Sequence, residues 1–360
     1  MKAKIKTEVL KDLMSKATKG AGNNKLIPIT SLMELKTYQS KLHITTTDMV
    51  HFLYVQGDIY EGDTEVVSSV VIEVEKFAKL VSKMTTEFVT IEDCGKYVEV
   101  TGNGKYTLDI PVDENGERIK YPEPNTTVTD EFEAKRTVLE LVSSVCGASV
   151  AKTLEVPVYT NYFVGDTVLA TDTYAISAID INLFADKKIL IPQELMNLLA
   201  VISEEKVNVQ FCENNYIWFN TDKVQILGKL ADGVDEYAVD AISGLVQQKF
   251  ESECEFKTAE MISALERIML FVGPYDDSAV KLTFTENGIS VESKQSNGVE
   301  VIPYTVSENY VPFTCMVNIN MLLAQLKARG ADRTIMQYGA ENSVKLIDGS
   351  VTQVIALLEQ

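Results

Sequence analysis

Histidine is the scarcest chemistry-bearing residue in this chain: among 360 residues only His43 and His51 are histidines. A Ser-His-Asp or Cys-His relay would have to use one of them, and both sit in alternating, strand-like sequence. Cys94, Cys146, Cys212, Cys254 and Cys315 are widely scattered, form no C-x-x-C pair and have no neighbouring His, so they offer no zinc pattern. They read as reduced thiols of a cytoplasmic protein. Gly102-Asn103-Gly104 begins a G-x-G pattern, but strand-like sequence flanks it on both sides, which fits a hairpin turn better than a dinucleotide loop. No Walker loop is present. The acid pairs Glu204-Glu205 and Asp276-Asp277 read as solvated turns, with an acid–base or metal role as the alternative. Without a catalytic, cofactor or metal constellation, the chain reads as a binding or structural protein and not as an enzyme.

The residues with the clearest spacing are cations on helices. In Val74-EKFAKLVSKM, Phe77, Leu80, Val81 and Met84 follow the i, i+3, i+4, i+7 rule of a buried face, and Lys76, Lys79 and Lys83 occupy another side. The first helical stretch sets Leu10, Leu13 and Met14 against Lys11, Lys16 and Lys19. A later one sets Leu322, Leu323 and Leu326 against Lys327 and Arg329. Lys135 and Arg136 stand beside Glu133 and Glu140 in a weaker version. The whole chain runs the other way, with 33 Lys+Arg against 52 Asp+Glu and a net charge of −19. That balance excludes a wholly basic surface, whereas cations gathered on selected helices fit a phosphate backbone. A solvated charged face is the plainer alternative for any one helix.

The elements that carry these side chains recur. Ile5-KTEVLKDLMSKA, Phe132-EAKRTVLELVSSV and Phe256-KTAEMISALERIM predict three amphipathic helices whose first apolar residues lie 127 and 124 positions apart. A second set, Val74-EKFAKLVSKM, Ile191-PQELMNLLAVI and Val317-NINMLLAQLKARG, follows at offsets of 117 and 126. Alternating segments precede each of the second helices. Hairpin patterns close the first and third units, with Asn103-Gly104 and Asp348-Gly349 at the turns. The shared order and period predict an α+β chain of three like domains, 1–124, 125–248 and 249–360. Tyr121-Pro-Glu-Pro124 marks the first linker and Gly244 to Gln248 the second. The N-terminus has no continuous apolar core of a signal peptide, and no window approaches the roughly 18 apolar residues of a membrane span.

LATDTYAIS followed by ILIPQELMNLL resembles the second domain of the bacterial DNA polymerase III beta subunit family, the sliding clamps. Leu230-Ala-Asp-Gly233 with Glu236-Tyr237 resembles the family's L-x-D-G…D-Y segment, and TTTDMVHF and NINMLLAQLKA fit equivalent positions in the first and third units. The resemblance runs over essentially the whole chain and implies a diverged member of chromosomal, phage or plasmid origin. It implies three similar domains, each with two helices and antiparallel sheet, and a head-to-tail homodimer closing a six-domain ring. The ring would encircle double-stranded DNA without sequence preference and tether the replicative polymerase, with a clamp loader as a further partner. DNA-facing cations would be Lys11, Lys16, Lys25, Lys76, Lys79, Lys83, Lys135, Arg136 and Arg329, Lys25 lying near the position of a DNA-contacting Arg in the family.

A partner-peptide pocket is implied at Thr171, Thr173, Tyr174, Ala175, Ile176 and Ile242 with Ile355, Ala356, Leu357 and Leu358. There the chain departs from the pattern: Thr173-Tyr174-Ala175 replaces a frequent Gly-His-Arg, and Ala356-Leu-Leu-Glu-Gln360 replaces a Met-Pro-Met-Arg-type tail. The subunit contact would use Tyr106 and Leu108 against Leu270 and Phe271. Two alternatives stay open: an acidic clamp-fold scaffold or DNA mimic that does not encircle DNA, and an enzyme with a carboxylate site at Asp276-Asp277.

Overall fold

The computed structural model describes residues 1–22, 24–62, 67–273, 278–295, 297–306, 310–340 and 342–359. Asp276, Asp277 and Gln360 lie outside the described residues. Seven α-helices are found among the described residues: α1 Thr7–Ala17, α2 Val74–Ser82, α3 Arg136–Gly147, α4 Gln193–Leu198, α5 Val239–Val246, α6 Thr258–Met269 and α7 Ile319–Arg329. The strands pair antiparallel throughout the described ladders, in four sheets. The architecture is α+β, as the alternation of the two hydrophobic periods predicts.

Packing gathers the chain into two compact units. One comprises Met1–Arg136 and Glu194–Leu230. Its five-stranded sheet runs, in spatial order, Glu61–Gly62, Lys2–Lys6, Phe88–Asp93, Tyr97–Thr101, Lys105–Asp109. Its eight-stranded sheet runs Val128–Lys135, Lys206–Cys212, Tyr216–Asn220, Val224–Lys229, Phe52–Asp58, Lys41–Thr47, Leu32–Tyr38, Ser68–Glu73. The other unit comprises Thr137–Gln193 and Ala231–Gln360. Its nine-stranded sheet runs Ile189–Pro192, Asn161–Val164, Val168–Thr171, Ala175–Ile179, Val351–Ala356, Ser343–Asp348, Arg333–Tyr338, Ser252–Lys257, Thr305–Val306. Its four-stranded sheet runs Val299–Ile302, Gly288–Ser293, Ala279–Thr285, Phe313–Asn318.

Each of the three long amphipathic segments is a strand that turns directly into a helix. Ile5, Phe132 and Phe256 end strands Lys2–Lys6, Val128–Lys135 and Ser252–Lys257, and the helices begin two to four residues later. The reason lies in the period. Ala3 and Ile5 are buried between exposed Lys2 and Lys6, so these residues alternate like a strand, and Lys2–Lys6 pairs with Phe88–Asp93. The helical period takes over at Thr7, whose hydroxyl donates to the Thr86 carbonyl at 2.5 Å. From there Leu10, Leu13, Met14 and Ala17 form the buried stripe. On α2, Phe77 and Val81 are fully covered, as is Met84 two residues beyond its end, while Leu80 is half-buried at the stripe's margin.

Two other expectations shift. Ile191-Pro192 belongs to strand Ile189–Pro192, paired with Asn161–Val164, and α4 begins at Gln193. Proline disfavours the helical region for the residue before it, which keeps Ile191 extended. Gly244 and Val246, expected in a linker, lie inside α5, because Val239, Ile242 and Val246 form a helical stripe that outweighs one glycine. α7 has conventional ends: the Asn318 side chain accepts from the Asn320 and Met321 amides, and Gly330 closes it at φ +63°. Among the described residues, no helix is long and apolar enough to cross a membrane.

Two strand joints carry each large sheet across the sequence repeat. Val224–Lys229 pairs with Phe52–Asp58 through Val224–Val55, Gln225–Tyr54, Ile226–Leu53 and Leu227–Phe52. Ala175–Ile179 pairs with Val351–Ala356 in the same antiparallel manner. The second joint is backed by a buried polar network in which Ser177 Oγ lies 2.8 Å from Ser149 Oγ, and Gln325 Nε2 donates to Ser149 Oγ at 2.7 Å.

Candidate functional site

The cationic helices divide into free and neutralised charges. Lys76 and Lys83 on and just beyond α2, Lys25 in the loop after α1, and Lys135 are exposed, and Lys11 is half-buried. None of these five has an ion-pair partner among the described residues. Lys16 is bound to Asp12 at 2.8 Å and Lys79 to Glu75, each one helical turn away, so both contribute little net field. Arg136 is half-buried.

Arg329 corrects the expectation. Its side chain is 0% exposed and the nearest carboxylate, Asp348, is 4.0 Å away. The last turn of α7 places it inside the protein, where burial lowers its pKa to about 10 against the opposing pull of Asp348. A guanidinium so covered cannot meet an external phosphate. Its neighbour Lys327 is exposed but tied to Glu266 at 2.7 Å.

The Thr171–Ile176 turn is a tightly specified corner. Thr171 Oγ1 donates to the Ala175 carbonyl at 2.9 Å and accepts from the Thr173 amide at 3.0 Å. Asp172 Oδ1 accepts from the Tyr174 and Ala175 amides at 3.0 and 2.7 Å. These bonds hold Thr173 at φ +78°, a region that β-branched residues avoid. Tyr174 is left 61% exposed, while its carbonyl accepts from the Ala356 amide at 2.8 Å.

Beside this corner, Phe163, Leu169, Ile176, Tyr237, Ile242 and Val354 form a buried apolar cluster. Half-buried Val158, Tyr159, Val234, Val239 and Val246 pack against it. Tyr237 is the keystone: its ring meets Tyr159 edge-on at 5.1 Å and Phe163 at 5.5 Å, and its hydroxyl donates to the Leu169 carbonyl at 3.4 Å.

The expected pocket residues therefore separate. Ile176 and Ile242 belong to the cluster, Thr171 is buried opposite Ile176 in the strand pair, and Thr173 and Tyr174 are exposed in the turn between them. Ala175 and Ile355 are buried opposite each other in the sheet and act from behind. Ala356 is half-buried where it bonds the turn. Leu357 leaves the cluster: it packs on the core built around Phe284 and Leu322, and its amide donates to the Asn342 carbonyl at 2.9 Å. The Leu358 amide donates to the Met316 carbonyl at 2.8 Å, and its side chain borders a cleft of about 630 Å³ with Lys281, Lys294, Thr314 and Met316. Tyr159, Tyr237, Val239 and Val246 were missing from the sequence expectation; the Val239, Ile242, Val246 spacing was the signal available.

Two of the sheet edges bear on the expected subunit contact. Lys105–Asp109 has a ladder only to Tyr97–Thr101, and Val299–Ile302 only to Gly288–Ser293. On the first, Tyr106 is 38% exposed, but Leu108 is buried in its own sheet; strand alternation turns it inward, which removes it from any outward contact. Near the second, Leu270 is 81% exposed, and Val299, Val301 and Phe271 are also exposed. Arg267 holds Glu300 through two hydrogen bonds of 2.7 and 2.6 Å, beside a cleft of about 420 Å³ lined by Ala259, Ser263, Val301 and Pro303.

Among the described residues the scarce chemistry-bearing groups make no relay. His51 Nδ1 lies 2.9 Å from Asp48 Oδ2 and its Nε2 is buried without a partner, so no nucleophile is within its reach. Glu204 accepts from the Thr221 hydroxyl at 3.1 Å. Cys94 is exposed and the other four thiols are buried. Among the described residues no cluster of His, Cys, Asp or Glu could hold a metal ion.

Residues 1–121 match the family described as DNA polymerase III beta subunit, N-terminal domain. No curated protein matches the sequence. Solved structures match along its full length. The DNA polymerase beta subunit of Streptococcus pyogenes is 18% identical with a TM-score of 0.86, covering 100% of both chains. The sliding clamp of Bacillus subtilis is 19% identical with a TM-score of 0.84, covering 100% of this chain and 99% of its own. The beta subunit of Borrelia burgdorferi, solved in complex with a natural product, is 17% identical at 0.85, over 100% and 99%.

Proposed function

We propose that this chain, which carries the DNA polymerase III beta subunit N-terminal domain at residues 1–121 and the sliding-clamp fold throughout, is a DNA sliding clamp. It would encircle duplex DNA as a head-to-tail homodimer and tether a polymerase through an apolar peptide-binding surface. A clamp loader would open the ring. Its work is binding and topology, with no chemical step of its own.

The observation that carries this reading is the tally of strand joints. The chain joins its repeats twice, through Val224–Lys229 with Phe52–Asp58 and Ala175–Ile179 with Val351–Ala356. Lys105–Asp109 and Val299–Ile302 are among the edge strands of the sheets, and exposed apolar side chains flank each. Open edges of that kind invite pairing with another chain. A second copy supplies the complementary edge, and two such contacts close a ring, which is what a heterologous interface does when the rotation is right. The three recurring strand-to-helix junctions support domains 1–124, 125–248 and 249–360, six to a ring.

The free cations Lys11, Lys25, Lys76, Lys83 and Lys135 would face the phosphates. Phosphate contacts carry no sequence information, so the ring slides while staying linked. The chain's acidic excess keeps other surfaces from adhering to DNA. The apolar cluster behind Tyr174 would receive a short segment of the polymerase.

Light scattering tests the ring contact. The protein is expected to have twice the 39.9 kDa chain mass, and Leu270→Ala with Phe271→Ala to give folded monomers. A doubly substituted protein that remains a dimer would place the interface elsewhere. The acidic-scaffold alternative draws on the neutralised Lys16 and Lys79 and the buried Arg329; it predicts no topological retention on DNA.

A further inference from the structure

The ladders match the three repeats residue by residue. The first residue of strands Leu32–Tyr38, Asn161–Val164 and Ala279–Thr285 pairs with Glu73, Pro192 and Asn318, each the last residue before a helix. Val71, Leu190 and Met316, two residues earlier on those edge strands, are therefore equivalent. So are Glu34, Phe163 and Lys281 and, at the end of the next strand, Thr47, Thr171 and Lys294. In the first two repeats a linker tyrosine covers this face. Tyr121 is buried against Leu32 and Val71, and its hydroxyl donates to the Leu32 carbonyl at 2.9 Å. Tyr237 is buried with Phe163 and Leu190. In the third repeat the same face lines the open cleft of about 630 Å³, walled by Ala279, Lys281, Lys294, Thr314 and Met316. The Leu358–Met316 bridge beside it has its counterpart in the Ala231–Leu190 bridge, from which the second linker runs on to Tyr237.

We infer that this cleft docks a partner segment carrying a tyrosine beside acidic residues. The occupant is read from the two covered faces. Tyr237 follows Asp235-Glu236, and Tyr121 precedes Pro122-Glu123. Glu123 reaches Lys36 of the covered sheet at 3.9 Å. The cleft supplies what such a segment requires. Met316 offers a thioether to an aromatic ring, and Lys281 and Lys294 stand where the other repeats carry Glu34, Phe163 and two threonines. Glu292 holds Lys281 at 3.1 Å, and Glu359 also borders the cleft. Lys294 is exposed and has no ion-pair partner among the described residues, so it is the charge left for an incoming carboxylate. The inference rests on the repeat and is independent of the reading of the Tyr174 corner as a peptide-binding surface.

Fluorescence anisotropy on the full-length protein tests it with a labelled peptide that copies residues 230–240, which include Asp235-Glu236-Tyr237. The peptide should bind, and a version with its tyrosine replaced by alanine should bind at least about tenfold more weakly. Lys294→Glu should weaken the unaltered peptide about tenfold at low salt, with the difference narrowing at high salt. Thr314→Trp should block it by filling the cleft. Both positions are exposed, so the unfolding midpoints should stay those of the unsubstituted protein. No binding, or binding indifferent to the tyrosine, would overturn the inference. Binding unchanged by both substitutions would place the peptide elsewhere, as by displacing the native linker from Phe163, and would overturn it equally. A concentration-dependent mass beyond two chains that Thr314→Trp abolishes would give the cleft to a second copy of this chain and overturn the partner segment.

Discussion

Thr173 is the residue most at odds with its backbone. Its φ of +78° is imposed by the Thr171 and Asp172 side chains that bond the surrounding amides. A β-branched residue in the left-handed region costs roughly 1–2 kcal/mol, and glycine gives back roughly 0.5–1 kcal/mol through its freer unfolded chain. Thr173→Gly should therefore stabilise the protein by about 0.5–1 kcal/mol in chemical denaturation; a loss of stability would show that the threonine side chain contributes contacts of its own. The resemblance placed a frequent glycine at this position, but residue types alone could not reveal that the corner keeps its shape without one. Arg329 illustrates the opposite failure. Its place beside Lys327 at the end of an amphipathic helix looked like a solvent-facing charge, and only the fold, with Asp348 4.0 Å away and the side chain covered, reveals that it is enclosed.

At the scale of elements, burial period separates what was legible from what was not. Phe77 and Val81 on α2, with Met84 just beyond it, were readable because one face carries one stripe. The starts of α1, α3 and α6 were misplaced because a strand and a helix share one apolar residue at their junction, and a period of two needs several residues to declare itself. α5 was hidden by Gly244, and Leu108 by the fact that alternation gives the two faces of a strand without saying which is outward. The free cations of the α2 segment make a direct prediction. Lys76→Ala with Lys83→Ala should lower the slope of log affinity for DNA against log salt by about 2 per protomer, since each neutralised phosphate contributes roughly 0.9. Stability should change by no more than about 0.5 kcal/mol, as for other surface changes. Arg329→Met should leave the slope untouched. A slope insensitive to Lys76 and Lys83 would move the DNA contacts to other residues.

For the whole molecule, the repeat was readable because three copies of a strand-to-helix unit must each bury a similar face, and that constraint is written locally. The two compact units were not, because strand joints are long-range: nothing near Leu227 or Phe52 announces that they pair, nor that Ala175 faces Ile355. On the proposed reading those joints matter for function, since Lys105–Asp109 and Val299–Ile302 stay at sheet edges where a second copy would pair. A net charge of −19 then fits a protein held on DNA more by linkage than by affinity. Retention on nicked circular DNA, after loading with the host's loader and gel filtration at elevated salt, tests that claim most directly. The ring should co-elute with the circle and be released when one cut linearises it. Equal retention on circular and linear DNA, or no retention on either, would contradict encirclement.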